Sequence, residues 1–300
     1  MQLRKLFFLL IPVAVVSYLI VFAILQIDSK YVIFPAGKPV KTTEIVESYY
    51  SSTDRHCALH FDWGEMCPKL YTELGGRCDV INGTIDCPDI RNKSNFKNRQ
   101  AQLVMTRMLR IFDLLAQKHN ITYWIAYGTL LGAARHQGFI PWDHDVDINI
   151  PLEDYVKFFQ VAAKELPADI FFQNTISDPG LRPSDPTEER KFYHHEIVGI
   201  YQRLKNPRLR DRNSCNRYCL TRNCKWHDGL MVDIFVLPRV RRSCYPLKLM
   251  AFEGFLLPIP NNWRGELERK YGRRWFEFRI EHGLDDDEID PIHGCDKLTS

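Results

Sequence analysis

Tyr127-Gly128-Thr129-Leu130-Leu131-Gly132-Ala133-Ala134-Arg135, followed by Phe139-Ile140-Pro141-Trp142-Asp143-His144-Asp145-Val146-Asp147-Ile148, is the stretch that decides how this chain is read. Its first half opens a short helix on a Gly-Thr pair. A helix start presents free N–H groups and the positive end of the helix dipole, which suit a phosphate. Gly128 allows close backbone approach, and Thr129 is expected to cap the helix and donate a hydroxyl hydrogen bond; a plain strand–helix turn is the bland alternative. In the second half, three acids stand at every second position. Side chains along a strand share a face at that spacing, so Asp143, Asp145 and Asp147 are expected to project side by side. Trp142, Val146, Ile148 and Ile150 call for burial, which argues against a solvated acidic loop. A row of like charges is unfavourable without a cation, and oxygen-rich sites of this kind suit Mg²⁺ or Mn²⁺ bridging to phosphates.

Farther along, Leu230-Met231-Val232-Asp233-Ile234-Phe235-Val236 places one acid in an apolar strand. An unpaired buried carboxylate is costly. A metal, a catalytic proton transfer or a structural salt bridge would each account for Asp233.

Hydrophobic periodicity organises the surroundings. Helices are expected from near Arg99 through His119, over 129–135, over 153–165 with Pro151 at its start, over 247–256 and over 265–271. Strands are expected over 122–127, 146–150, 170–173, 196–205 and 229–237. This mixture predicts an α/β (α+β) domain around a mixed sheet.

The chain has 300 residues, with 45% hydrophobic and 26% charged residues, as in an ordinary globular protein. A net charge of +3, with the basic residues dispersed, offers no electrostatic case for nucleic acid. Residues 1–5 read as a cytosolic tail. Residues 6–27 read as a transmembrane signal anchor, long enough to span a bilayer. The basic flank at Arg4 and Lys5 orients the rest of the chain to the lumen. A cleaved signal peptide is the rival, but its apolar region is normally shorter. Residues 28–55 read as a stem, 56–95 as a Cys-rich module, 96–280 as the catalytic domain and 281–300 as an acidic, poorly ordered tail.

Nine cysteines fit an oxidising compartment. Cys57, Cys67, Cys78 and Cys87 allow three pairings. Cys215, Cys219 and Cys224, with His227 close by, have zinc-like clustering, although disulfides suit a lumenal protein better. An odd count leaves one cysteine free, metal-bound or joined to another chain. Sequons at Asn82, Asn92 and Asn120 agree with passage through the secretory route. The His194-His195 pair and Arg239, Arg241 and Arg242 read as solvated positions that could touch substrate.

Gly-Thr, then Asp-x-Asp within apolar residues, then a lone acid on a later strand resembles the nucleotidyltransferase superfamily. More narrowly, 127–148 resembles the LicD/fukutin family of phosphotransferases. Further matches are Pro151-Leu152-Glu153-Asp154-Tyr155, Val232-Asp233-Ile234-Phe235-Val236-Leu237, Pro258-Ile259-Pro260, Leu267-Glu268-Arg269-Lys270-Tyr271-Gly272 and Trp275. His144 stands where many members carry a third acid. The resemblance implies a nucleotidyltransferase-like mixed sheet flanked by helices. It also implies transfer of a phosphate-linked group, such as phosphocholine or ribitol phosphate, from a CDP-activated donor to a glycan on a glycoprotein or glycolipid, with release of CMP. Asp145 and Asp147, with Asp143 beside them, would hold the metal; Asp233 would complete that site or take the acceptor's proton. Gly128, Thr129 and Arg135 would bind donor phosphate. The anchor points to a single-pass type II protein of the Golgi or ER. The rivals are a metal-dependent glycosyltransferase using a nucleotide sugar and a catalytically silent lumenal binding protein of the same fold.

Overall fold

Val146, Ile148 and Ile150 are fully buried and alternate with Asp147 and Asn149 along one strand. One face of that strand therefore builds the core while the other carries the polar groups. The computed structural model describes residues 44–49, 67–174, 177, 207–217, 219, 224–277 and 289–298, with the backbone of strand residues 31–32, 60–61 and 64–65. The expected anchor, most of the stem, Cys57, the 196–205 strand and His194-His195 lie outside these residues. Among the described residues, no helix is long and apolar enough to cross a membrane.

The elements used below are a hairpin of β1 (Asp79–Ile81) and β2 (Thr84–Asp86), then α1 (Lys97–Lys118), β3 (Trp124–Ile125), α2 (Tyr127–His136), β4 (Val146–Pro151) and α3 (Leu152–Gln160). They continue with β5 (Ile170–Gln173), β6 (Arg208–Asp211), β7 (Cys215–Asn216), β8 (Met231–Leu237), β9 (Lys248–Phe252), β10 (Phe255–Ile259), α4 (Trp263–Tyr271) and β11 (Ile289–Asp290). The main sheet has five strands in the order β3-β4-β8-β6-β5. β4 and β8 run parallel, and every other neighbour pair is antiparallel. This is a mixed α/β fold, as expected.

α1 supplies the largest part of the core. Met105, Met108, Ile111, Phe112 and Leu115 are fully buried at helical spacing, and each such side chain contributes about 1.5–3 kcal/mol. The helix packs against β6 and β8. Phe112 meets Phe158 of α3 at 4.8 Å between ring centroids. Tyr71, Cys78 and Cys87 belong to the same apolar cluster, so the Cys-rich segment shares the core of the sheet domain. In the expected stem, the backbone on either side of Ile45 bonds Leu249: Val46 N–H donates to its carbonyl, and the Glu44 carbonyl accepts from its N–H. Tyr49 stacks on Phe276.

Several expectations are corrected. The strand at 122–127 narrows to Trp124–Ile125, and the helix over 153–165 breaks after Gln160 into a short 3₁₀ turn, Ala162–Glu165. The helix expected over 247–256 is the β9–β10 hairpin. Met250, Phe252, Leu257 and Ile259 are buried while Leu249, Ala251, Leu256 and Pro258 are not, a period of two. The turn places Glu253 at φ 54° and Gly254 at φ 87°, the left-handed geometry of a tight hairpin. Part of the acidic tail is also built in. β11 pairs with β7, Cys295 bonds Cys215, and Arg91 donates to the Pro291 carbonyl and to Asp211. Covalent and ionic ties outweigh the polar composition there.

Candidate active site

Asp147 and Asp233 stand directly opposite each other on the parallel strands β4 and β8. Their carboxylates and that of Asp145 offer oxygens within 4.8 Å of one another. The strand begins at Val146, so Asp143 and Asp145 lie in the loop before it. The row of three acids along one strand is thus corrected: one acid comes from the loop, one from β4 and one from β8. Trp142 and Pro141 turn the chain ahead of the strand, and Asp143 N–H bonds the Ile140 carbonyl.

The backbone of Asp147 is held at both ends. Its N–H donates to Thr129 Oγ1 at 2.8 Å, and its carbonyl accepts from Ala126 N–H at 3.0 Å. α2 begins at Tyr127, with Ala126 as its cap and no side-chain capping bond. Thr129 is therefore not the cap the spacing suggests; the residue is 3% exposed, and its hydroxyl ties α2 to β4. Gly128 fits its expected use in a different way. A Cβ there would lie 2.9 Å from Asp143 Oδ2, and its backbone N–H bonds the Asp147 carboxylate. The close approach is of the helix start to the acids. Tyr127 takes φ 43°, a left-handed conformation uncommon outside glycine and asparagine, and its ring meets Phe235 edge-on at 4.9 Å.

Burial and the neighbouring Asp145 and Asp233 push the Asp147 carboxyl up to about 8, against the opposing pull of the Gly128 amide and Lys270. Burial, then Asp145 and Asp147, hold the Asp143 carboxyl well above the usual range. Acids crowded like this repel each other when ionised, and a divalent cation among them relieves the repulsion. The all-oxygen donor set fits Mg²⁺ or Mn²⁺.

Two cations near the acids do not stand out in the sequence. Arg208, facing Asp233 across β6 and β8, donates its Nε to Asp233 Oδ1. Lys270 of α4 lies 5.2 Å from the centre of the Tyr127 ring and pulls on Asp147. The signal for Arg208 is its place in an alternating Arg-Leu-Arg strand; Lys270 sits inside a matched motif that assigns it no role. Arg135 is placed in the last turn of α2, buried, and seven residues past Gly128 is about 10 Å along the axis.

The loop bearing Asp143 and Asp145 is anchored from behind by α1. Asn98 Nδ2 donates to the Pro141 carbonyl at 2.7 Å, and Gln102 Nε2 to the Asp143 carbonyl at 3.0 Å. Arg99 forms a two-pronged ion pair with Glu253 at 2.7 and 3.0 Å, and Glu253 also accepts from Tyr71 N–H. The legible trace is a run of polar residues, Asn98, Arg99 and Gln102, on a helix that is otherwise core.

Cys215–Cys295, Cys219–Cys224 and Cys78–Cys87 form disulfides, and Cys67 is disulfide-bonded. The sulfurs of Cys215, Cys219, Cys224 and Cys295 lie within 4.8 Å of one another, so zinc there would require reducing two disulfides. Among the described residues, Cys244 is the free thiol, and it is buried. Asn82, Asn92 and Asn120 are all exposed. Arg239 and Arg242 are exposed in the loop after β8 and Arg241 is half-buried.

Comparison with known proteins agrees with the motif. Residues 120–195 match the LicD/FKTN/FKRP nucleotidyltransferase domain. The chain is 39% identical to the lipopolysaccharide cholinephosphotransferase LicD of Haemophilus influenzae over 77 residues, 26% of each chain. It is 29% identical to the ribitol 5-phosphate transferase FKRP of Homo sapiens over 153 residues, 51% of this chain and 28% of that one. It is also 57% identical over 120 residues to the uncharacterized protein RP689 of Rickettsia prowazekii, 33% of this chain and 45% of that one. The chain spans less than half the length of the curated relatives it matches.

Proposed function

We propose that this chain, which carries a LicD/FKTN/FKRP-type nucleotidyltransferase domain over residues 120–195, is a phosphotransferase. It moves phosphocholine or a polyol phosphate such as ribitol phosphate from a CDP-linked donor to a glycan and releases CMP. The observation that carries the reading is the meeting of Asp145, Asp147 and Asp233 within 4.8 Å, beside the N-terminus of α2. The names of the relatives, a cholinephosphotransferase and a ribitol 5-phosphate transferase, support the transferred class.

Asp145, Asp147 and Asp233 would hold Mg²⁺ or Mn²⁺, with Asp143 as neighbour. When bound, the metal supplies neutralisation of charge on the departing phosphate. Gly128 and Thr129 fix the helix start and β4 so that the acids keep their places. Lys270 and Arg208 flank the acids with positive charge suited to the donor's diphosphate. Asp233 spends Oδ1 on Arg208, leaving Oδ2 for the metal or for the acceptor hydroxyl's proton. Arg135, from the far end of α2, serves donor phosphate only if the diphosphate extends along that helix.

The cellular reading is a single-pass type II protein of the Golgi or ER membrane with a lumenal catalytic domain. The apolar segment at 6–27, the disulfides and the exposed sequon asparagines support it. Structural zinc at Cys215, Cys219 and Cys224 is the minor alternative to their disulfides; metal analysis beside thiol counting separates the two.

The test is CMP release from CDP-choline, CDP-ribitol, CDP-glycerol and CDP-ethanolamine with Mn²⁺ or Mg²⁺, beside a UDP-sugar panel. Asp147→Asn is expected to lower turnover at least ~100-fold, the scale of losing a preorganised charge contact, with folding intact. Turnover of a UDP-sugar alone would move the protein to the glycosyltransferases.

A further inference from the structure

Phe172 of β5 meets Phe158 of α3 at 5.3 Å between ring centroids, so strand alternation turns Phe171 to the opposite face of the main sheet. The register pairs Asp147 with Asp233, Asp233 with Arg208 and Arg208 with Gln173. Phe171 therefore shares its face with the acids. Two strand spacings and two residues of rise put it about 12 Å from Asp233. Three segments meet at this ring. His227, 5% exposed, stacks on Phe171 at 5.0 Å. Trp226 contacts both rings, at 4.8 and 5.1 Å, and the Arg212 guanidinium lies over the Trp226 ring at 4.7 Å. The loop that carries Trp226 is fixed. The Cys219–Cys224 disulfide precedes it, and Lys225 and Asp228 close a turn across it with bonds of 2.8 and 2.9 Å. Trp226 is nonetheless 46% exposed. A large aromatic side chain held in place in water offers contact area at little cost in conformational freedom.

We infer that this platform seats a sugar ring of the acceptor glycan, with Trp226 as the stacking surface and Arg212 at its edge. The acceptor role rests on the phosphotransferase reading. A sugar ring presents C–H groups on one face, and these meet the negative face of an aromatic ring favourably. Its hydroxyl oxygens accept from the N–H fork of an arginine. A broad ring with a cation beside it therefore suits a ligand that is apolar on one face and hydroxylated round its rim. The placement agrees. Phosphoryl transfer sets the attacking and leaving oxygens roughly in line. α2 packs on β4, and Lys270 lies against Tyr127 at the start of that helix. The helix start and Lys270, which suit donor phosphate, are thus on the β4 side of the acids. An acceptor enters from the other side, over β6 and β5, where the platform stands. A short run of linked sugars bridges the distance of about 12 Å, so Trp226 holds a unit of the glycan behind the one that reacts.

The experiment is saturation-transfer NMR on the full chain with the methyl glycosides of galactose, glucose, mannose, N-acetylglucosamine and N-acetylgalactosamine. At least one is expected to receive saturation at its ring C–H protons. Trp226→Ala is expected to weaken that binding about tenfold or more, a loss of at least about 1.4 kcal/mol, and Trp226→Tyr to keep most of it. Thermal unfolding of Trp226→Ala should stay near native, since nearly half of the side chain already faces water. In CMP release driven by short oligosaccharides that contain the bound sugar, Trp226→Ala is expected to raise the oligosaccharide KM by a similar factor and to leave the donor KM in place. No glycoside bound by the native chain, or equal binding by Trp226→Ala, would overturn the platform. Trp226-dependent binding without CMP release from any CDP donor would keep the sugar site and remove the phosphotransferase reading, and the acceptor role with it. CMP release with an unmoved oligosaccharide KM would keep that reading and overturn the acceptor role.

Discussion

The carboxyl groups of Asp143 and Asp147 are both held above the ordinary acid range, chiefly by burial and then by their acidic neighbours. For Asp147 the sign follows directly. Its carboxyl ionises near 4 in the unfolded chain and near 8 in the metal-free folded one. The folded state therefore binds the extra proton between those values, so this group's stabilisation is complete below about pH 4 and is lost as pH rises to about 8. Metal-free protein should melt at a lower temperature at about pH 8 than at about pH 5, and Mn²⁺ should raise the melting temperature more at the higher pH. Equal Mn²⁺ shifts at both pH values would remove Asp147 from the metal site. Thr129 offers a second residue-scale test. Thr129→Val keeps the shape but leaves the Asp147 N–H without its acceptor, a loss of about 1–3 kcal/mol, whereas Thr129→Ser should stay near native in thermal unfolding. The acids are legible in the sequence because an aspartate amid apolar residues must be neutralised by a cation or a proton. The role of the Thr129 hydroxyl is not, since a cap and a cross-link to the next strand look alike in one dimension.

At the level of elements, the loop before β4 owes its position to α1 and the β9–β10 hairpin. Arg99→Met would strand the Glu253 carboxylate, whose side chain is 2% exposed. Breaking a buried pair from one side costs about 3–5 kcal/mol, so denaturant unfolding should show a loss of that size, and donor turnover should fall as the Asp143–Asp145 loop loosens. Helices α1, α2 and α4 and strands β4, β5 and β8 are readable from local sequence, although α1 and α2 are buried nearly all round and so show their type by composition and start signals more than by a single stripe. The hairpin at 248–259 passes for a helix because its run of large apolar residues satisfies both periods. Pro258 and the Glu253-Gly254 turn are the discriminating marks. Arg208 escapes notice because cross-strand pairing joins residues 25 positions apart, which no local pattern reports.

Across the whole molecule, distant segments converge on the sheet domain. Cys295 closes an 80-residue span to Cys215, and Arg91 grips the chain just before it. Closing a span of that size is worth about 4 kcal/mol in the chain-entropy view. Cys295→Ser should therefore lower the unfolding free energy by a few kcal/mol and expose 289–298 to limited proteolysis, with the acids undisturbed. Cleavage at the native rate would show that Arg91 and the β7–β11 pairing hold the tail alone. Composition makes the tail look loose, since the ties that order it come from Arg91 and Cys215, far away in sequence.

The thiol of Cys244, the free cysteine among the described residues, is 7% exposed, and burial pushes it up to about 11. A maleimide dye at neutral pH would meet little thiolate and no access while the fold is closed. The protein thus carries a built-in chemical clock. The rate of labelling at this one sulfur counts openings of the region around β3 and the loop after β8, with no probe engineered into the chain.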